Sequence, residues 1–308
     1  MTDAHPNHKT PIVELRNISK RFVKRLDFAG RLAQKLGANV QEEVVHAVDS
    51  VSLSIFEGEV VGLVGESGCG KSTLGRIVAG VYQPSNGQVY FRGKPMAEMS
   101  GTVARDTALS IQMIFQDPYA SLNPRWRVKD IIVEPVASRG GKTEGMAEKL
   151  LEQVGLSVKD AGKFPHEFSG GQRQRICIAR ALASEPRLIV CDEPTSALDV
   201  SVQAQIINLL LSLKQELGLT MVFVSHNLAV VEHLADRVAV MYLGQKIEEA
   251  ATDALFDRPR HPYSRALLAA TLLPDPALGM PEQKLGATAA DPFAAQRGCL
   301  FAPRCPEV

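Results

Sequence analysis

Val13, Leu15 and Ile18 set apolar against polar positions over residues 12–22, which predicts a strand broken near Asn17. Residues 23–46 interrupt it with a short amphipathic helix candidate and a polar loop. Val51, Leu53 and Ile55 then alternate with serines, a second half-buried strand. After a turn at Glu57-Gly58, the run VVGLV at 60–64 is apolar throughout, as expected of a strand covered on both faces. Leu109, Ile111, Met113 and Phe115 alternate again and predict a strand over 109–115. Residues 120–186 turn helical, with breaks at Gly140-Gly141, Gly162 and Pro165. The runs RLIVC at 187–191 and TMVFV at 220–224 are two more buried strands. Between them Val202, Ile206, Leu209, Leu210, Leu213 and Leu217 form a stripe at helical spacing. Residues 237–250 predict a hairpin turning near Gly244, and prolines accumulate from 252 onward.

Buried strands alternating with helices imply an α/β fold with a parallel sheet. The early alternating strands form a small antiparallel β subdomain, and the middle stretch an inserted α-helical subdomain at about 117–183. The pattern divides the chain into a core domain over 1–255 and an extension over 256–308. No internal repeat is evident, so one copy of the motif set is expected.

Composition narrows the partners. Of 308 residues, 34 are Lys or Arg and 34 are Asp or Glu, which disfavours bulk attraction to nucleic acid or anionic lipid. No apolar run approaches the roughly 18 residues that span a bilayer. The start MTDAHPNHKTP lacks the basic-then-apolar pattern of a secretory signal. A soluble, cytosolic chain is therefore expected, one that must dock on another protein if it works at a membrane. Cys69, Cys177 and Cys191 sit in apolar or motif-associated stretches and are expected as reduced, buried thiols.

Gly65-Glu66-Ser67-Gly68-Cys69-Gly70-Lys71-Ser72, followed by Thr73, fits the phosphate-binding pattern G-x-x-x-x-G-K-[ST]. Its context is right: a buried strand before it, a helical pattern after it. Glycines let the loop wrap phosphates with backbone N–H groups, and the helix N-terminus adds a favourable dipole. Lys71 would reach the β- and γ-phosphates of ATP, and the Ser72 hydroxyl would ligate Mg2+. An inert glycine turn is the bland alternative, which this context disfavours. Downstream, the apolar strand before Asp192-Glu193 ends in two acids. Asp192 would hold Mg2+, and Glu193 would orient or polarise the attacking water. So far the reading is a P-loop NTPase parallel-sheet core, with kinases, GTPases and helicases still open.

Phe168-Ser169-Gly170-Gly171-Gln172-Arg173-Gln174-Arg175 narrows it, standing about 20 residues before the Asp192 strand. This stretch resembles the signature motif of ABC ATPases. Physically, Ser169 and the glycine amides would cap a helix over 172–183 and offer a second anion site. The resemblance implies that Ser169, Gly170, Gly171 and Gln172 complete the partner's ATP site across a head-to-tail dimer. Other elements resemble the family in order. Gln116 resembles the glutamine that senses Mg2+ and couples to membrane subunits. Ser196-Ala197-Leu198-Asp199 resembles the D-loop that crosses the dimer interface, and His226 the switch histidine on the γ-phosphate. Phe22 is placed like the aromatic that stacks on adenine, with a strand residue packing in the small sheet as the alternative. Asn227 stands where many relatives have Asp, a departure that leaves the catalytic positions intact. A non-hydrolysing subunit is therefore not expected.

Asp117-Pro118-Tyr119-Ala120-Ser121-Leu122-Asn123-Pro124, Pro165-His166-Glu167-Phe168 and Arg260-His261-Pro262-Tyr263-Ser264-Arg265-Ala266-Leu267 resemble the oligopeptide/dipeptide importer group. The resemblance implies a second ABC ATPase subunit, two transmembrane permease subunits met near Tyr119 to Asn123, and an extracytoplasmic substrate-binding protein acting indirectly. It places the chain peripherally on the cytoplasmic face of a bacterial inner membrane. Relatives carry peptides, nickel chelates, glutathione, opines or sugars, and an ATPase that does not touch the substrate leaves these open. Soluble ABC ATPases that act on DNA or ribosomes usually have tandem cassettes or coiled-coil insertions, which this sequence lacks. Cys299 and Cys305 resemble part of a four-cysteine iron–sulfur site found in some relatives. With two cysteines here rather than four, no cluster is expected in this chain.

Overall fold

The computed structural model describes residues 10–24, 43–270 and 298–307. The helix candidate within 23–46 falls largely outside the described residues. In chain order the strands are β1 (Val13–Lys24), β2 (Glu43–Ile55), β3 (Val60–Val64), β4 (Asn86–Phe91), β5 (Lys94–Pro95), β6 (Ile111–Ile114), β7 (Leu188–Asp192), β8 (Thr220–Val224), β9 (Arg237–Tyr242) and β10 (Gln245–Ala251).

They form two sheets. One has the order β10-β9-β3-β8-β7-β6, with β9, β3, β8, β7 and β6 parallel and β10 returning antiparallel from β9. The other is antiparallel, in the order β2-β1-β4-β5. The period of two explains why the central strands are continuously apolar. Val60 and Val64 face one core with Ile189, Cys191, Met221 and Phe223, beneath the helical subdomain. Val61 and Leu63 face the other with Leu188, Val190, Val222 and Val224, beneath the antiparallel sheet. Both faces are dry, so the inner positions of these runs are apolar, and the polar residues Thr220 and Asp192 fall at strand ends. Gly62 lies among them because a Cβ there would come within 2.5 Å of Val231 on the helix Leu228–Leu234.

The helical subdomain is built from Pro118–Ser121, Val128–Ala137, Met146–Gln153 and Gly170–Leu182. The predicted stripe becomes the helix Val200–Leu217, which buries Ile206, Ile207, Leu210 and Leu213 and leaves Leu217 exposed. The predicted hairpin over 237–250 is β9 and β10, with Gly244 at a positive φ of 83°.

Two boundaries differ. The stretch 23–46, expected as an interruption, has strand at both ends, since β1 runs on to Lys24 and β2 begins at Glu43, where it pairs with Lys24. Leu109 was expected to open a strand, but a helix spans Gly101–Ser110 and β6 begins at Ile111. Leu109 keeps the parity of Ile111 and Met113, so alternation could not separate the last helical turn from the strand. Its carbonyl accepts a hydrogen bond from the Ser184 hydroxyl at 3.1 Å, which anchors that turn.

Cys69, Cys177 and Cys191 are free and buried, as expected. Burial pushes the Cys177 thiol up to about 11 and the Cys191 thiol up to about 12, so both stay protonated near neutral pH. Cys299 is exposed and Cys305 half-buried.

Candidate functional site

The parallel strands put the C-terminal ends of β3, β8, β7 and β6 on one edge of the sheet. The residues that follow them, Gly65, Ser225-His226, Glu193 and Phe115-Gln116, therefore leave the sheet side by side.

After β3 the chain turns through Gly65, Gly68 and Gly70, whose φ angles are 147°, 79° and 102°. Gly70 starts the helix Lys71–Val78 in the left-handed conformation, and the first helical bond runs from the Leu74 amide to the Gly70 carbonyl at 2.9 Å. Amides of the first turn thus have no partner within the helix and point out of its end. Lys71 is buried, and its ammonium donates to the carbonyls of Gly65 and Glu66, each at 2.8 Å. Burial raises the Cys69 thiol above its ordinary value, with Lys71 pulling it back. Ser72 and Thr73 are half-buried on the same turn, while Ser67 is exposed.

The helix packs across the middle of the sheet. A Cβ on Gly75 would lie 3.2 Å from Val190 of β7 and 3.4 Å from Val224 of β8. Arg76, on that helix, reaches Asp192 at 3.4 Å. Asp192 closes β7 with no exposed surface, and its Oδ1 has no hydrogen-bond partner among the described residues. A buried carboxylate oxygen without a donor is costly unless something completes it.

Glu193 follows at φ 47°, in the left-handed region where a side chain costs strain. Its amide donates to the Val224 carbonyl at 3.0 Å, which ties the ends of β7 and β8 together. The turn aims the carboxylate at two neighbours. Gln116 donates through Nε2 to Glu193 Oε2 at 3.2 Å, and His226 Nδ1 lies 3.2 Å from the same oxygen. Three residues predicted separately from sequence thus meet at one oxygen atom. Asn227 caps the helix Leu228–Leu234 by accepting from the Val230 amide, a structural task suited to either Asn or Asp.

The serine-glycine-glycine stretch sits elsewhere. Ser169 caps the helix Gly170–Leu182 reciprocally: its hydroxyl accepts from the Gln172 amide at 3.3 Å, and its own amide donates to Gln172 Oε1 at 3.0 Å. Ser169, Gly170 and Gln172 are exposed, and so is Asp199 at the start of Val200–Leu217. Gly171 lets the two helices approach, because a Cβ there would come within 2.4 Å of Val202. Val200, beside Asp199, is 82% exposed. Phe22 projects from β1, 38% exposed, with its ring edge-to-face on Tyr82 at 5.7 Å.

Comparison with known proteins decides the family. Residues 48–196 match the ABC transporter family, and residues 247–308 match the oligopeptide/dipeptide transporter C-terminal region. A putative oligopeptide transport ATP-binding protein of Bacillus subtilis is 48% identical over 87% of this chain and 83% of its own length. A putative peptide import ATP-binding protein of Brucella ovis is 46% identical over 97% of this chain and 90% of its own. The chain belongs to the ABC transporter family. Among solved structures, an ATP-binding cassette dimer in a post-hydrolysis state, bound to ADP and Pi, superposes with a TM-score of 0.65 at 29% identity. That match covers 78% of this chain and 98% of the cassette. The fold and the family make this chain a nucleotide-binding ATPase. Among the described residues, no helix is long and apolar enough to cross a membrane.

In this ABC ATPase the described parts of the C-terminal region, residues 247–270 and 298–307, pack into the body. The helix Pro262–Ala269 places Tyr263, 1% exposed, against Tyr242 at 4.6 Å between ring centres. Phe301, also 1% exposed, stacks edge-on to both rings at 5.4 Å. Burial raises the Tyr263 hydroxyl above its ordinary range, and that oxygen accepts from the Glu66 amide at 2.9 Å. Sequence reasoning missed Tyr82 and Arg76 beside the nucleotide motifs, and Tyr263 and Arg304 at the loop. Tyr263 falls in the family-like stretch 260–267, but no local pattern gives any of the four its place at the site, because each acts through a partner far away in the chain.

Proposed function

We propose that this chain is the ATP-hydrolysing motor subunit of a bacterial importer of di- or oligopeptides. The observation that carries it is the meeting of Gln116 and His226 on the Glu193 carboxylate, at the sheet edge beside the Lys71 loop. The peptide assignment rests on the C-terminal region and on the relatives, named for peptide import and oligopeptide transport.

In this reading the free amides at the Gly70–Ser72 end of the loop and the Lys71 ammonium hold the β- and γ-phosphates, the Glu66 amide being taken by Tyr263; Thr73 lines the same helix turn, and Phe22 stacks on adenine. Glu193 orients the attacking water and takes its proton. Gln116 and His226 keep that carboxylate aimed, with His226 also touching the γ-phosphate. The Asp192 oxygen without a partner, the Ser72 hydroxyl and the Gln116 amide oxygen are hard ligands of the kind Mg2+ takes. When bound, Mg2+ supplies charge neutralisation for the transferring phosphoryl group. Exposed Ser169, Gly170 and Gln172, with half-buried Gly171 between them, would close the partner's site, with Asp199 crossing between subunits. ATP then closes the dimer and hydrolysis reopens it, and that motion works the permeases.

The nucleotide-binding domain spans residues 1–255 and the extension 256–308. The chain lies at the cytoplasmic face of the membrane with a second ATPase and two permease subunits. The test is uptake of a labelled dipeptide and a labelled tripeptide by the host with and without this gene. Loss of uptake, restored by the intact gene, is expected. Unchanged peptide uptake would assign the motor to another cargo, such as a nickel chelate, glutathione or an opine.

A further inference from the structure

Glu66, the second residue of the phosphate loop, is held by three side chains. Its carbonyl accepts from the Lys71 ammonium at 2.8 Å. Its amide donates to the Tyr263 hydroxyl at 2.9 Å. Its carboxylate takes both arms of Arg304, Nη1 on Oε2 at 3.0 Å and Nη2 on Oε1 at 2.9 Å. Two of the three come from the C-terminal extension, 197 and 238 positions away in the chain.

The anchorage of Arg304 is built. Its guanidinium lies 5.9 Å from the Tyr242 ring centre and 5.8 Å from that of Phe301. Phe301 is buried between Tyr242 and Tyr263, and His261 packs on it at 5.9 Å. Arg265 of the helix Pro262–Ala269 pairs with Glu307 at 2.8 Å, closing the tail onto the extension. Tyr242 ends β9, the parallel neighbour of β3, so this aromatic pad sits directly beside the strand that feeds the loop. The side chain of Arg304 is 16% exposed and that of Glu66 44%.

We propose that Arg304 is a positioning residue for the nucleotide site, which neutralises the Glu66 carboxylate and holds it turned toward the docked extension, so that the loop receives a polyanion. A carboxylate in a loop that binds phosphates repels the ligand it must admit, and an unpaired one could also swing inward. The bidentate fork cancels the charge and fixes its direction, which a lysine cannot do in the same geometry. Tyr263 adds a neutral acceptor that keeps the Glu66 amide in place. The extension thereby sets the affinity of the loop without touching the nucleotide. The inference rests on the reading of this loop as the ATP site.

The test measures binding of ATP and of ADP to the full chain by calorimetry, for wild type, Arg304→Ala, Arg304→Lys, Glu66→Gln and the Glu66→Gln/Arg304→Ala pair. Arg304→Ala is expected to weaken ATP about threefold to tenfold at low salt, and ADP less because it carries less charge. The loss shrinks as salt rises, since Glu66 is partly exposed. Arg304→Lys restores part of it. Glu66→Gln in the Arg304→Ala chain restores affinity to near wild type, an outcome that a merely structural strap does not give. Should Arg304→Ala not fold, Arg304→Gln replaces it in the same cycle. Unchanged affinity in the Arg304 variants, or no rescue by Glu66→Gln, overturns the proposal while leaving the ATP site standing. A wild-type chain that binds neither nucleotide overturns the site reading itself.

Discussion

A Glu193→Gln chain is expected to bind ATP like wild type and to turn it over about 100- to 10,000-fold more slowly, the range that a positioned general base supplies. The amide has the shape of the carboxylate and can keep contacts with Gln116 and His226, which now meet Glu193 Oε2 at 3.2 Å each. What it loses is the capacity to take a proton from water. The left-handed backbone at Glu193 costs Gln and Glu alike, so stability should change by less than about 0.5 kcal/mol. Phosphate release measured beside equilibrium ATP binding checks the split. Turnover within about tenfold of wild type would remove Glu193 from the role of base.

The second large effect is on folding and binding together. Gly70 has a φ of 102°, and a Cβ there would lie 2.1 Å from the Ala47 carbonyl oxygen. That oxygen belongs to β2, so no flexible side chain can move aside. Gly70→Ala should therefore cost at least about 3 kcal/mol, strain and overlap combined, and displace the loop enough to abolish ATP binding. Gly68 is the control. Its φ is 79° and a Cβ there would meet nothing within 4 Å, so Gly68→Ala should cost only about 1–2 kcal/mol of backbone strain. Denaturant midpoints of the two variants check the contrast, and equal costs would contradict it.

The sheet was legible because its central strands are dry on both sides. Val60–Val64, and Leu188–Asp192 and Thr220–Val224 apart from their polar end residues Asp192 and Thr220, are apolar runs, as burial on two faces requires. The phosphate loop was legible because glycine and lysine spacing reports backbone geometry directly. Periodicity failed at Leu109, where helix and strand share a parity across their junction. It also passed over β4 and β5, a short hairpin turning at Arg92-Gly93 whose residues are mostly exposed and so carry little pattern.

The candidate site residues could be named one by one from the sequence, and the way they meet could not. Asp192, Glu193, Gln116 and His226 stand out as ends of strands, since a parallel sheet collects those ends on one edge. That Gln116 and His226 share one oxygen of Glu193 depends on the left-handed turn at 193, which no local motif announces. The extension was the hardest to read. Tyr263 reads only as part of a family-like stretch and Phe301 as a tail residue until the fold sets them on Tyr242, and Arg304 gains its place from Glu66 and from the two rings beneath it.

The central claim is a motor that drives permeases. Its most direct test is mass spectrometry of the proteins that co-purify with the tagged chain from detergent-solubilised host membranes. The account predicts two permease-like proteins and a second ABC ATPase. A partner set that is wholly soluble, with ribosomes or DNA-processing proteins, would contradict it and leave the ATPase chemistry without a transporter.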